Sequence, residues 1–164
     1  MRGGRGDDLL AGGLGNDALF GGRGADAILG GDGEDRLYGG AGDDTIYGGN
    51  GDDFIMGGRG DDVIRGDAGD DVLFGNGGVD SFSFGRGDGN DWIADFRVTQ
   101  VRRNRTIEGD RINIQIDGVD SFEDLMSFAS RERGGVLFDF GEGDSLFLAG
   151  TQLAALDEDQ FSFY

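Results

Sequence analysis

The sequence predicts an all-β fold: a parallel β-roll, or β-helix solenoid, with a mainly β C-terminal capping region that contains one short helix. Three observations predict it. A nine-residue unit recurs in strict register from Gly3 to Ser83. Each unit carries one large apolar residue at its eighth position, flanked by residues that alternate outward, as a very short strand requires. Glycine is concentrated towards the N-terminus: residues 1–94 hold 29 of the 36 glycines and residues 95–164 hold seven. That shift divides the chain into a repeat array, residues 1–94, and a C-terminal region, residues 95–164, that reads as ordinary globular sequence.

The nine copies read GGRGDDLLA, GGLGNDALF, GGRGADAIL, GGDGEDRLY, GGAGDDTIY, GGNGDDFIM, GGRGDDVIR, GDAGDDVLF and GNGGVDSFS. A tenth, RGDGNDWIA, follows at Arg86–Ala94 after a two-residue slip. Glycines at positions one, two and four predict a tight turn over GGxGx, leaving a three-residue strand. Asp67 and Asn76 replace the second glycine in the eighth and ninth copies, and both residue types tolerate the left-handed backbone the turn needs. Two copies close one circuit, and circuits stack about 4.8 Å apart as parallel strands.

Position six is Asp throughout: Asp8, Asp17, Asp26, Asp35, Asp44, Asp53, Asp62, Asp71, Asp80 and, in the tenth copy, Asp91. Stacking sets these in two columns, odd copies on one edge and even copies on the other. Unit charges about 5 Å apart repel by roughly 1 kcal/mol in water and more at a protein surface. One aliphatic per nine residues is little core to set against that repulsion and the ordering of so much glycine. A hard divalent cation converts the repulsion into attraction. Calcium, with six to eight oxygen ligands in flexible geometry, suits two carboxylates plus turn carbonyls better than magnesium does. Two columns of five leave about eight gaps, so about seven or eight ions are expected, enough to bring the formal charge of −19 close to zero.

The repeat resembles GGxGxDxUx, the nonapeptide of the RTX (repeats-in-toxin, haemolysin-type calcium-binding) group of secreted bacterial proteins, including serralysin-like ones, over residues 3–94. The resemblance implies a parallel β-roll, Ca²⁺ between stacked turns, and export through a one-step type I channel. It implies that the position-six aspartates are side-chain ligands. It also implies that turn glycines (Gly12, Gly21, Gly30, Gly39, Gly48, Gly57, Gly66 and Gly75) and the residues between lend carbonyls. The acids at position five (Asp7, Asp43, Asp52, Asp61 and Asp70) are expected to face solvent and add field rather than ligation.

Beyond the array, Phe84, Trp92 and Phe96 are expected to close the roll's open end, with Asp88 and Asp95 as candidates to complete the last ion site. RVTQVRRNRT, residues 97–106, is the basic cluster, read as a solvated loop, or as an anion or glycan site on Arg102, Arg103 and Arg105. Ile112, Ile114 and Ile116 alternate as a strand. DSFEDLMSFAS reads as a helix capped by Asp120 with Glu123 completing a capping box, and with Phe122, Leu125, Met126 and Ala129 on its apolar face. GVLFDF, DSLFLAG and QFSFY read as strands, with a helical turn at Gln152–Leu156. The segment resembles the C-terminal region of type I-exported RTX proteins. At position nine of the even copies, Phe20, Tyr38, Met56 and Phe74 should align on one outer sheet face near Phe54 and Val72. That row either shields the sheet or docks a partner.

Composition excludes several classes. The charge disfavours a nucleic-acid partner. No Cys, His or Lys is present, which removes disulfides, zinc–thiolate sites and thiol nucleophiles, and neither GxSxG nor HExxH occurs. The start lacks the apolar stretch of a signal peptide, and no apolar run approaches the length of a membrane helix, so no stable membrane insertion is expected. The leading expectation is a non-enzymatic module that is disordered at low Ca²⁺, folds on Ca²⁺ after type I secretion and acts outside the cell. Its partners are calcium, the secretion machinery and an upstream domain, suggested by an array that begins two residues after Met1. Alternatives are the C-terminal module of a larger secreted enzyme (metalloprotease, lipase or alginate epimerase), an adhesion or glycan-binding module, and, among catalysts of its own, a carboxylate-based glycosidase.

Overall fold

The computed structural model describes residues 1–98, 100–102, 105–107 and 109–164, with only the backbone described at 100–102 and 105–107. The array forms β1 (Arg2–Arg5), β2 (Leu9–Leu14), β3 (Ala18–Arg23), β4 (Ala27–Asp32), β5 (Arg36–Ala41), β6 (Thr45–Asn50), β7 (Phe54–Arg59), β8 (Val63–Ala68), β9 (Val72–Gly77), β10 (Ser81–Gly85) and β11 (Asn90–Ile93). The chain alternates between two sheets, odd strands in one and even strands in the other, as a solenoid of about five turns.

The strands are longer than the three residues the repeat predicts. Each full strand takes positions seven to nine of one copy and one to three of the next, as in Leu9–Leu14. Gly13 pairs with Gly31 and Gly31 with Gly49, so the glycine pair continues the ladder instead of turning. The turn is confined to positions four to six. Asp67 and Asn76, both at φ 66°, take the left-handed conformation expected of them.

Position eight supplies the core. Leu10, Ile28, Ile46, Ile64 and Phe82 stack along one sheet and Leu19, Leu37, Ile55, Leu73 and Ile93 along the other, each at most 2 % exposed. Burying a Leu or Ile side chain contributes about 1.5–3 kcal/mol. On the outer face of the odd sheet, Phe20 stacks on Tyr38 at 4.8 Å, Tyr38 lies 6.2 Å from Phe54, and Phe54 lies 5.5 Å from Phe74. The aligned row is present as the register requires.

The C-terminal region is built onto the same sheets. Its elements are β12 (Gln100–Arg102), β13 (Arg105–Ile107), β14 (Arg111–Gln115), α1 (Phe122–Ser127), β15 (Ala129–Glu132), β16 (Gly135–Gly141), β17 (Asp144–Ala149) and β18 (Phe161–Phe163), with 3₁₀ turns at Leu153–Ala155 and Glu158–Gln160. β14 and β18 extend the even sheet beyond β10, and β17, β16 and β15 extend the odd sheet beyond β11. Ile112 and Phe161 continue one position-eight stack and Leu148 the other.

Three expectations are corrected here. The N-cap of α1 is Ser121, whose side chain accepts from the Asp124 N–H, because the helix starts one residue later than Asp120 would set it. Ala129 belongs to β15, paired with Phe138, rather than to the helix. Phe84 and Phe96 are buried in the cap, but Trp92 is 46 % exposed: its position-seven place points it outward, beside Phe147 at 6.1 Å. Of the arginine cluster, Arg103 lies outside the described residues, and for Arg102 and Arg105 the description stops at their antiparallel backbone pairing.

Candidate metal centre

Each turn brings its position-six aspartate from the start of one strand back across the opening, towards the position-one glycine of the same copy. Two columns result. In the first, the Asp8 N–H donates to Asp26 Oδ1 at 2.8 Å, Asp26 to Asp44 at 2.8 Å, Asp44 to Asp62 at 2.8 Å and Asp62 to Asp80 at 3.1 Å. In the second, Asp17 donates to Asp35 at 2.7 Å, Asp35 to Asp53 at 2.8 Å, Asp53 to Asp71 at 2.7 Å and Asp71 to Asp91 at 3.1 Å. One carboxylate oxygen of each acceptor is thereby engaged.

The other oxygen is not. Among the described residues, Oδ2 of Asp8, Asp26, Asp35, Asp44, Asp53, Asp62 and Asp71 is buried without a hydrogen-bond partner. Buried anionic oxygens in that state are costly unless something cationic meets them. Burial pushes the Asp44, Asp53 and Asp80 carboxyls up to about 6, those of Asp62 and Asp71 to about 7, and that of Asp91 to about 9. Lost hydration is the largest cause at every one of them. Neighbouring carboxylates add repulsion, and the amide N–H from the preceding circuit pulls the other way.

Main-chain oxygens converge on the same openings. A Cβ placed on Gly12 would meet the Gly30 carbonyl oxygen at 2.5 Å and Asp17 Oδ2 at 2.7 Å. Gly21, Gly30, Gly39 and Gly48 show the same cradle, with the carbonyls of Gly39, Gly48, Gly57 and Gly66 beside the Oδ2 atoms of Asp26, Asp35, Asp44 and Asp53. At Gly57, Gly66 and Gly75 the added atom would strike Oδ2 of Asp62, Asp71 and Asp80. Position one is thus glycine because the opening is lined by oxygen. Among the described residues no three acidic side chains meet at one point; each opening offers carboxylate plus carbonyl, a hard donor set of the kind that fits calcium.

The position-five acids do more than face solvent. They are exposed, yet Asp7, Asp43, Asp52, Asp61 and Asp70 accept the N–H groups of Ala25, Asp61, Asp70, Val79 and Asn90 one circuit later. Asp88 Oδ2 accepts the Gly85 N–H, and the two oxygens of Asp95 accept those of Gly75 and Asn76. The first column also runs past the array: Asp80 donates to Asp110 Oδ1 at 3.1 Å. Sequence reasoning missed Asp110. Its signal is GDRIN at 109–113, which repeats positions five to nine at a spacing of 30 rather than 18.

The model of the RTX calcium-binding nonapeptide repeat (4 copies) matches residues 1–28, 29–64 and 56–93, more than half of the chain. The chain belongs to the RTX calcium-binding repeat family. Its repeat region is a non-catalytic calcium-binding module of the kind typical of proteins secreted by type I systems. No curated protein matches. Among solved structures, the RTX chain is similar to the extracellular lipase LipA from Serratia marcescens, with 19 % identity and a TM-score of 0.52 over 97 % of this chain and 38 % of the lipase. It is also similar to the AlgE6R3 subunit of the Azotobacter vinelandii mannuronan C5-epimerase, with 26 % identity and a TM-score of 0.50 over 92 % of this chain and 80 % of that one. The RTX chain therefore spans under two fifths of the lipase, and that likeness concerns the fold.

Proposed function

We propose that the columns of position-six aspartates, Asp8 to Asp91, with the position-one glycines Gly12 to Gly75, hold about seven or eight calcium ions, and that this binding drives the array's folding. The observation that carries the reading is the series of buried, unpartnered Oδ2 atoms facing main-chain carbonyls. With no cation, each is a desolvated charge beside others of like sign, so metal binding free energy becomes folding free energy. Residues 1–94 act as the metal-dependent roll and residues 95–164 as the cap from which it builds.

Export follows from the same coupling. At low cytosolic calcium the array stays disordered and can thread a type I channel; outside, millimolar calcium exceeds the weak affinity typical of extracellular modules. The C-terminal residues 95–164 serve as the uncleaved export signal. A second reading is favoured by the two enzyme neighbours: the module is appended to a larger secreted enzyme, and the outer row of Phe20, Tyr38, Phe54 and Phe74 is where the remainder of that protein rests.

The test is far-UV circular dichroism of the metal-free chain during calcium titration, with a magnesium control. A steep disorder-to-sheet transition, reversed by chelator, is expected. Equal sheet content in chelator and in calcium would overturn the coupling.

A further inference from the structure

Asp80 and Asp110 differ from the rest of their column. Asp80 Oδ1 accepts the Asp62 N–H as its predecessors do, but its Oδ2 is met at 3.3 Å by Arg97 Nη2. The same Nη2 donates to Asp110 Oδ1 at 2.9 Å and to the Gly78 carbonyl oxygen. Asp110 Oδ2 accepts the Arg97 backbone N–H at 2.8 Å, and the Asp110 N–H returns to the Arg97 carbonyl oxygen at 2.8 Å. Both carboxylates are buried, at 0 % and 1 % exposure.

One nitrogen therefore touches two aspartates from successive circuits and a turn carbonyl. Carboxylate and carbonyl oxygens, the donor types that line the other openings, converge here on a cation, with the position-four Gly78 carbonyl in place of a position-one glycine's. We propose that the Arg97 guanidinium is a resident cation occupying the last gap of this column, between Asp80 and Asp110, in place of calcium.

The geometry explains how the chain puts it there. The repeat breaks between these two aspartates: Arg97 lies just beyond β11, and Asp110 immediately precedes β14, the next strand of the same sheet as β10. The Arg97 N–H bond to the Asp110 carboxylate and the Asp110 N–H bond to the Arg97 carbonyl tie these two residues together. They hold the arginine stem at the mouth of the gap, and the side chain turns inward to the carboxylates. A guanidinium always carries its charge and presents directed donors to carboxylates, so in the folded roll this gap supplies its own cation and needs no calcium. The remaining gaps of the column, whose Asp8, Asp26, Asp44 and Asp62 oxygens have no partner, are left to the metal.

The inference rests on the calcium reading of the columns, and the experiment separates the two. Bound calcium per full chain is counted by native mass spectrometry and equilibrium dialysis at saturating calcium for the wild type, Arg97→Ala and Arg97→Lys. Arg97→Ala should bind one ion more than the wild type, and Arg97→Lys the same number. Adding Asp110→Asn to Arg97→Ala should remove the extra ion. Unchanged stoichiometry in folded Arg97→Ala would overturn the proposal while leaving the calcium reading intact; no calcium bound by the wild type would overturn that reading instead. Should Arg97→Ala fail to fold, a calcium-loaded crystal structure of the wild type decides: guanidinium alone between Asp80 and Asp110 supports the assignment, and an anomalous calcium peak there defeats it.

Discussion

Acid should do part of calcium's work. Six aspartates of the two columns, Asp44, Asp53 and Asp80 at about 6, Asp62 and Asp71 at about 7, and Asp91 at about 9, start from 3.8 when unfolded. Each folded value lies above the unfolded one, so the folded metal-free chain holds its protons more tightly. The resulting stability is fully present below pH 3.8 and is lost as pH rises through 6 to 9. At pH 5 the unfolded carboxyls are about 6 % protonated and the folded ones about nine-tenths or more, so folding takes up about five protons. Acidifying the metal-free chain from pH 8 to pH 5 should therefore produce sheet signal in circular dichroism, with sedimentation confirming a monodisperse product. Protons and calcium compete for the same oxygens, so the calcium midpoint should move up over the same interval. Sheet content that stays flat or falls on acidification without metal, or a midpoint indifferent to pH, would refute the reasoning.

Three further outcomes follow from single positions. Asp44→Asn keeps an acceptor for the Asp26 N–H but removes the charge behind the unpartnered Oδ2; the calcium midpoint should rise on the order of tenfold, since ligand charge sets affinity, and by less in Asp8→Asn at the half-buried first turn. Gly39→Ala forces a methyl to 2.5 Å from the Gly57 carbonyl oxygen, a backbone atom that cannot swing aside; overpacking of this kind costs about 1–3 kcal/mol, readable as a lower urea midpoint in saturating calcium and one ion fewer in the dialysis count. Ile46→Ala, fully buried between Ile28 and Ile64, should cost about 2–5 kcal/mol in the same urea assay.

The period alone made most of the roll legible. Residues with a fixed offset of nine, two copies to a circuit, dictate which side chains share a column, so the aspartate columns, the position-eight stacks and the Phe20–Tyr38–Met56–Phe74 row could be read before any backbone was placed. Strand length could not, because glycine supplies ladder hydrogen bonds without leaving a side-chain pattern, and Gly13 and Gly31 look like turn residues until their pairing is seen. Asp110 and Arg97 were hidden for a different reason. The spacing jumps between Asp80 and Asp110, and an arginine in a basic stretch gives no sign that its neighbours in space are carboxylates. Trp92 shows the reverse error: its aromatic character suggested the cap, while its place in the repeat, position seven, already pointed it outward.

The aspartate-to-aspartate bonds give the roll a grain. Every buried amide along a column leans on the carboxylate that follows it, never on the one before. Deleting circuits from the front frees a carboxylate that water can reach. Deleting them from the back separates the last amide of the column from the carboxylate that the cap supplies to it, as Asp110 does for Asp80. The position-five bonds run the opposite way, but at the exposed rim, where solvent can substitute. Such an assembly tolerates lengthening or shortening at its leading edge and resists it at its trailing one.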